Sequence, residues 1–320
     1  MALESADPSV AARAGSDALA ASIAIEEPEP ESFQERKIGL IAWIAIGWLV
    51  FITAIAILAP FLPLKDPLYG VDYLRTKAGF FSPGHLLGTD DSGLDVLSRS
   101  IWGARSSLLI GVGSIVFGTL IGGFLGLVAG FKGRLTDSIL SASFNILLAF
   151  PQLVLALILV SVFAPSATEG GTQPGWSKRV LVVIIAVGIV SVPILARIAR
   201  ANAVSWSQRE FVMAARAEGA SDFRVMFREV LPNIIPAMLS IALLGVAIVI
   251  VLEGALAIFG LSIAQPDPSW GNMIQSQLSD LNSASAVWIV PSVLIFLTVL
   301  ALNYLGDVVR SRFDVRESAL

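Results

Sequence analysis

The chain has 320 residues, 55% hydrophobic and only 14% charged, with a mean hydropathy of +0.79. Soluble globular chains carry roughly 25% charged residues, so the composition excludes an ordinary soluble domain, and the absence of cysteine excludes a disulfide framework, a thiolate metal site and a cysteine nucleophile. The net charge of −4 is concentrated in residues 1–37, which hold eight acids and three bases; the near-neutral remainder offers no footprint for nucleic acid.

Residues 1–37 are rich in Ala, Ser, Pro and Glu ("EEPEPE") and poor in large apolar residues. They are expected to form a disordered acidic cytoplasmic tail. A secretory signal would begin with a short basic segment instead. A spanning helix needs about 20 mainly apolar residues, and six charge-free runs qualify: 38–64, 106–131, 138–168, 180–196, 230–252 and 281–306. The shortest, 180–196, is still about 25 Å long as a helix, and its flanking Arg197 and Arg200 can snorkel.

The fold class expected is an all-α membrane protein with six transmembrane helices. Its divisions are the tail 1–37, a first transmembrane helix 38–64, an exported loop 65–105, a five-helix core 106–306 and a tail 307–320. With six spans both termini lie on one side. That side would hold 14 of the 21 Lys and Arg residues, so it is expected to be cytoplasmic.

The exported loop contains the only histidine, His85, near Asp90 and Asp91. One histidine without helical spacing is expected to serve the loop and not a metal. In the second run Gly118, Gly122, Gly126 and Gly130 form an i, i+4 stripe. Small residues let helix backbones approach closely where lipid supplies no hydrophobic drive, so the stripe reads as a packing face within the chain or toward a partner. A generic glycine-rich membrane helix is the competing reading.

Between the fourth and fifth runs the cytoplasmic stretch "EFVMAARAEGASDFRVMFREVLPN" (210–233) is polar and helix-prone. Phe211 to Ala217 is short and Ala-rich, Gly219 is a C-cap residue, and Ser221 is an N-cap followed by Asp222. Phe223, Met226, Phe227 and Val230 then recur with helical spacing, and Pro232 stops this helix or begins the next. The product is helix–Gly–helix. Its break, two faces and mixed charge suit docking to a protein. A helix lying on lipid and an ordinary solvated loop remain open from periodicity alone.

Glu253 is the one acid inside an otherwise apolar helix, ~28 Å along it from residue 234 and so near the exported boundary. It is either a partnered carboxylate at an outer gate or an interface-solvated side chain. Trp270, in the turn "PDPSWG" (266–271), is expected to be exposed near an interface, as a contact for a partner or as part of the aromatic belt.

Several stretches together resemble one family. Residues 210–232 resemble the "EAA" loop of bacterial ABC importer permeases, with Ala214, Ala215, Gly219, Leu231 and Pro232 at the family's spacing; Met213 and Glu229 depart from it. Glu210 through Ala220 fits the form of the peptide-importer branch. "HLLGTDDSGLDVLSRSIWGARSSLLIG" (85–111), "LEGALAIFGLSIAQPDPSWGNMI" (252–274) and "LTVLALNYLGDVVRSRFDVR" (297–316) are similar to further segments of the dipeptide, oligopeptide and nickel importer permease, C-type subunit. Leu94 stands where that family has Arg.

The resemblance implies an ABC importer type I permease fold and a role as the translocation path for peptides, or for nickel or another small solute. It implies a second, B-type permease, one or two ATPase subunits, an extracytoplasmic solute-binding protein and a bacterial inner-membrane location. The loop within 200–233 would couple to the ATPases, through Glu210, Ala214, Ala215, Arg216, Gly219, Asp222, Arg224, Leu231 and Pro232. Residues 72–104 and the 266–271 turn would meet the binding protein. The chain itself is not expected to be an enzyme: none of its five lysines follows a glycine, so it carries no G-x-x-x-x-G-K-[ST] loop. ATP and Mg belong to the partners, and no cofactor or metal is expected here.

Other classes fit less well. A proton-coupled transporter needs embedded relay acids or histidines, and only Glu253 qualifies. An intramembrane protease needs a Ser–His or paired-Asp arrangement within the spans, which the sequence lacks. A channel has no use for the 210–233 loop.

Overall fold

The computed structural model describes residues 39–163, 175–278 and 285–317. The expected acidic tail, the run ends at 164–168 and 281–284, and residues 318–320 lie outside the described residues. The described chain is helical; its only β pairings are the isolated bridges Ser82–His85 and Thr89–Asp95.

In chain order the helices are α1 (Leu40–Leu58), α2 (Val96–Lys132), α3 (Arg134–Leu148), α4 (Gln152–Phe163), α5 (Trp176–Ser207), α6 (Glu210–Ala217), α7 (Asp222–Ile258), α8 (Trp270–Gln275) and α9 (Ser285–Glu317). Five stretches are long and apolar enough to cross a membrane: Leu40–Phe61, Val96–Lys132, Trp176–Ser207, Asp222–Ile258 and Ala286–Arg312. The bent pair α3–α4 makes a sixth if it counts as one span. These helices turn 91° at the break before Pro151, whose ring and missing N–H bar a continuous helix. A single straight helix over 138–168 is therefore replaced by two short arms.

Helix α2 begins well before the charge-free run that marks it in the sequence. Asp95 caps it by accepting the Ser98 amide, and Arg99 and Arg105 lie inside its first turns. Arg99 is buried and partnered, while Arg105 lies over the rings of Trp102 (5.6 Å) and Trp176 (4.9 Å). A charge count ends a helix at such residues; their local partners let it continue. At 37 residues α2 is about 55 Å long, more than the roughly 30 Å hydrocarbon core.

The centre of the fold is the pair α2–α5, with α7 packed on both and α9 packed on α7. Helix α1 lies against α9 and α2, and the arms α3 and α4 pack on α5. The glycine stripe faces α5. A Cβ on Gly122 would stand 2.5 Å from the Val192 carbonyl oxygen, one on Gly126 2.1 Å from that of Ala196, and one on Gly130 2.6 Å from that of Arg200. Gly118 is a looser contact, 3.0 Å from Leu195 and Ser191. Here backbone meets backbone, which only glycine permits.

Candidate functional site

The 210–233 stretch folds as two short helical pieces seated on the ends of α2 and α5. Its inner face is apolar: Val212, Val225, Met226 and Val230 are buried with Leu127, Ala203 and Trp206. The turn between the pieces is a complete Schellman motif. Ala220 N–H donates to the Ala215 carbonyl and Gly219 N–H to that of Arg216, both at 3.0 Å, with Gly219 at φ +85°. The Ser221 hydroxyl then accepts the Arg224 amide at 3.4 Å and opens α7.

The outer face is left bare. Glu210, Met213, Ala214, Arg216, Asp222, Phe223 and Arg224 are exposed, and Phe223 retains 70% of its accessible surface. Residues Val225–Val230 form a π-helical segment, with Leu231 N–H donating to the Met226 carbonyl. Pro232 cannot donate, and its ring would crowd the i−4 carbonyl of Arg228. The wider turn accommodates this, so the helix runs through to Ile258 and Pro232 neither stops nor starts it. The extra residue also shifts the apolar register. Val225 joins Met226 and Val230 inside, Phe227 packs partly buried against the same cluster, and Phe223 stays outside with its ring 4.5 Å from that of Phe227.

At the opposite end of α2 a second constellation centres on Glu253, which is fully buried. Ser262 (2.5 Å) and Ser269 (2.9 Å) donate to its Oε1, and Ser107 (3.1 Å) donates to its Oε2. Ser107 in turn accepts the Trp270 backbone N–H at 3.1 Å. The Trp270 indole N–H donates to the Ser100 carbonyl at 3.0 Å, so this residue is anchored to α2 twice. Ser269 and Asn272 form a reciprocal capping box on α8, and the Asn272 amide also donates to the Asp267 (2.6 Å) and Ile263 (3.2 Å) carbonyls.

The 65–95 loop is tied into the same place. Arg99 donates to the Pro67 (3.0 Å) and Pro266 (3.3 Å) carbonyls and pairs with Asp90 at 3.4 Å. Burial pushes the Asp90 carboxyl above the ordinary 3.8, against the opposing pull of the Leu94 amide and Arg99. Burial likewise raises Asp267, opposed by Arg179 and Arg99. His85 is buried beneath the loop, with Nδ1 2.8 Å from Asp95, Nε2 3.4 Å from Asp72, and Lys65 Nζ 3.1 Å from Nε2. It knits the loop to the cap of α2; among the described residues no cluster could hold a metal.

The profile of the binding-protein-dependent transport system inner membrane components matches residues 122–318. The chain belongs to this family. This permease is 35% identical over 90% of its length to the dipeptide transport system permease protein DppC of Alkalihalophilus pseudofirmus, covering 90% of that protein. It is 34% identical over 83% of its length to the glutathione transport system permease protein GsiD of Pectobacterium atrosepticum, covering 84%. With the di/tripeptide transport system permease protein DppC of Pseudomonas aeruginosa it shares 36% over 84%, covering 87%. In fold it resembles a chain of the inward-facing MetNI methionine ABC transporter, with a TM-score of 0.53 at 19% identity, over 67% of the permease and 96% of that chain.

The family places this permease in the inner membrane as a multi-pass component. One expectation about the end that carries Glu253 is corrected: Trp270 is not an exposed contact or belt residue, because its ring is fully buried against α2. Of the two readings open for Glu253, solvation at an interface does not hold, because three hydroxyls partner the buried carboxyl. The serines that make this enclosure escape sequence reasoning because Ser107 lies 146 residues from Glu253 and no spacing rule links them.

Proposed function

We propose that the chain is the translocation-path subunit of an ATP-driven peptide importer. It would work with a second permease, and its 210–233 loop would dock on cytoplasmic ATPase subunits that bind ATP and Mg. The observation that carries this reading is the loop itself: an apolar inner face clamps it to α2 and α5, while its outer face leaves Met213, Phe223 and two arginines without a covering element. A loop serving only to connect would have no need of a rigid, outward-facing helix pair. In this arrangement the bent pair counts as one span, the spans number six, and both termini lie on the loop's side with the majority of the basic residues.

Three relatives whose names specify peptides or glutathione support a peptide substrate. At the exported end Glu253 and Trp270 act as positioning residues. They hold the 259–272 segment on α2, so that a solute-binding protein meets a fixed surface. Pull-down of the chain from detergent extract, with mass spectrometry, should recover a second permease and P-loop ATPases. The reconstituted assembly should hydrolyse ATP faster when binding protein and a di- or tripeptide are present. Recovery of the chain alone, under conditions that preserve related complexes, would overturn the reading.

A further inference from the structure

Beside the 210–233 loop, where α2 hands over to α3, lies an open cavity of about 470 Å³. Its charged lining is Lys132, Arg134 and Arg216 against the single acid Asp222, with Phe131 and Leu135 contributing apolar wall. Among the described residues none of the three cations makes an ion pair. Arg216 is held in place by stacking over the Phe131 ring at 5.0 Å. Three like charges converging on one cavity repel each other unless an anion joins them.

We infer that this cavity binds the phosphate headgroup of an anionic phospholipid from the cytoplasmic leaflet. The position favours lipid over a soluble anion. The cavity sits at the end of a membrane-spanning helix, and Leu135 (78% exposed) and Ile139 (65% exposed) follow its mouth one helical turn apart on α3. They give acyl chains an apolar track directly next to the basic mouth. Basic pockets between spanning helices on the cytoplasmic side recognise anionic headgroups through this pairing of charge and hydrocarbon. Because Arg216 and Asp222 flank Gly219, a bound headgroup would also brace the turn of the coupling loop. The inference rests on the orientation proposed above.

The test uses the assembled transporter in nanodiscs of phosphatidylcholine, with and without phosphatidylglycerol, and counts retained lipid by native mass spectrometry. Wild type should retain phosphatidylglycerol in preference to phosphatidylcholine. Lys132→Ala with Arg134→Ala should weaken that retention on the order of thirty-fold, from roughly fivefold per basic residue near an anionic surface. ATPase subunits should co-purify as before, and the charge-conserving pair K132R/R134K should restore retention. If the double variant fails to assemble, R134Q alone gives the same comparison at about fivefold. Equal phosphatidylglycerol retention by variant and wild type would overturn the inference. So would equal retention of phosphatidylcholine, or displacement of the lipid by inorganic phosphate at equal concentration. Loss of the ATPase subunits with lipid retained would reassign the cavity to the protein interface and also overturn it. The orientation is read separately: S138C in this cysteine-free chain should label from the cytoplasmic side only. Labelling from the exported side would overturn the leaflet assignment whatever lipid binds.

Discussion

Removing the Glu253 side chain should unlatch the 259–272 segment from α2. In Glu253→Ala the hydroxyls of Ser107, Ser262 and Ser269 lose their shared acceptor inside a site with no accessible surface. Each buried unsatisfied group costs about 1–3 kcal/mol, so at least about 3 kcal/mol is lost before the vacated volume is counted. Glu253→Gln is milder. Its carbonyl oxygen can keep Ser262 and Ser269, and its NH2 can donate to Ser107 Oγ, so the Ser107 hydroxyl proton and the second amide N–H are left without partners, at about 2 kcal/mol together. The assay is local opening. Met273 is buried in α8, and Met273→Cys provides the only thiol in the chain. Its labelling rate reports how often the segment lifts off α2. At tenfold per 1.4 kcal/mol, labelling should accelerate about a hundredfold or more in the Glu253→Ala background and roughly thirtyfold in Glu253→Gln. Equal rates in Glu253→Ala and the parent would refute the latch.

Gly219→Val should leave the complex assembled but abolish peptide uptake in proteoliposomes. A Cβ there meets nothing within 4 Å, so its roughly 1–2 kcal/mol cost is that of the left-handed backbone, and the loss of uptake should exceed that of Glu253→Gln. Gly126→Ala should reduce the thermal stability of the purified complex by at least about 1–3 kcal/mol, because its Cβ would meet the Ala196 carbonyl oxygen at 2.1 Å. Gly123→Ala, whose Cβ would find only Met238 at 3.6 Å, should be silent in the same melt. Asp90, with its carboxyl raised by burial, binds its proton more tightly folded than unfolded. Its contribution to stability is therefore complete below about pH 3.8 and declines as pH rises through the raised native value. Asp90→Asn should flatten that part of a stability–pH profile, and an unchanged slope would refute the assignment.

Much of the 210–233 loop was legible in the sequence because its signals are local. The Gly219 cap, the Ser221 cap and the helix over 210–217 all depend on neighbours within a few residues. The stripe held at Met226, Phe227 and Val230, but the exposure of Phe223 and the burial of Val225 were not legible. A π turn is set by the proline that follows it, and a 3.6-residue period cannot anticipate the extra residue. The glycine stripe marked a contact face, but only the fold identifies α5 as its partner. At the start of α2, charge counting placed Arg99 and Arg105 outside the helix because composition does not register a partnered cation. Trp270 was misread for the same reason: its indole N–H finds its acceptor 170 residues away.

The backbone contact between α2 and α5 has a mechanical consequence. Gly122, Gly126 and Gly130 seat successive turns of one helix on carbonyls of the other, and such a seating does not slide by a fraction of a turn without first lifting apart. The two helices are therefore one rod. At one end the rod carries the Trp270 anchorage on Ser100 and Ser107, and at the other it carries Leu127, Ala203 and Trp206, on which the loop rests. A push delivered to the loop is carried along this pair toward the Trp270 end, and the places where it can bend are Pro193 inside α5 and the contacts where α7, α9 or the bent pair meets the rod.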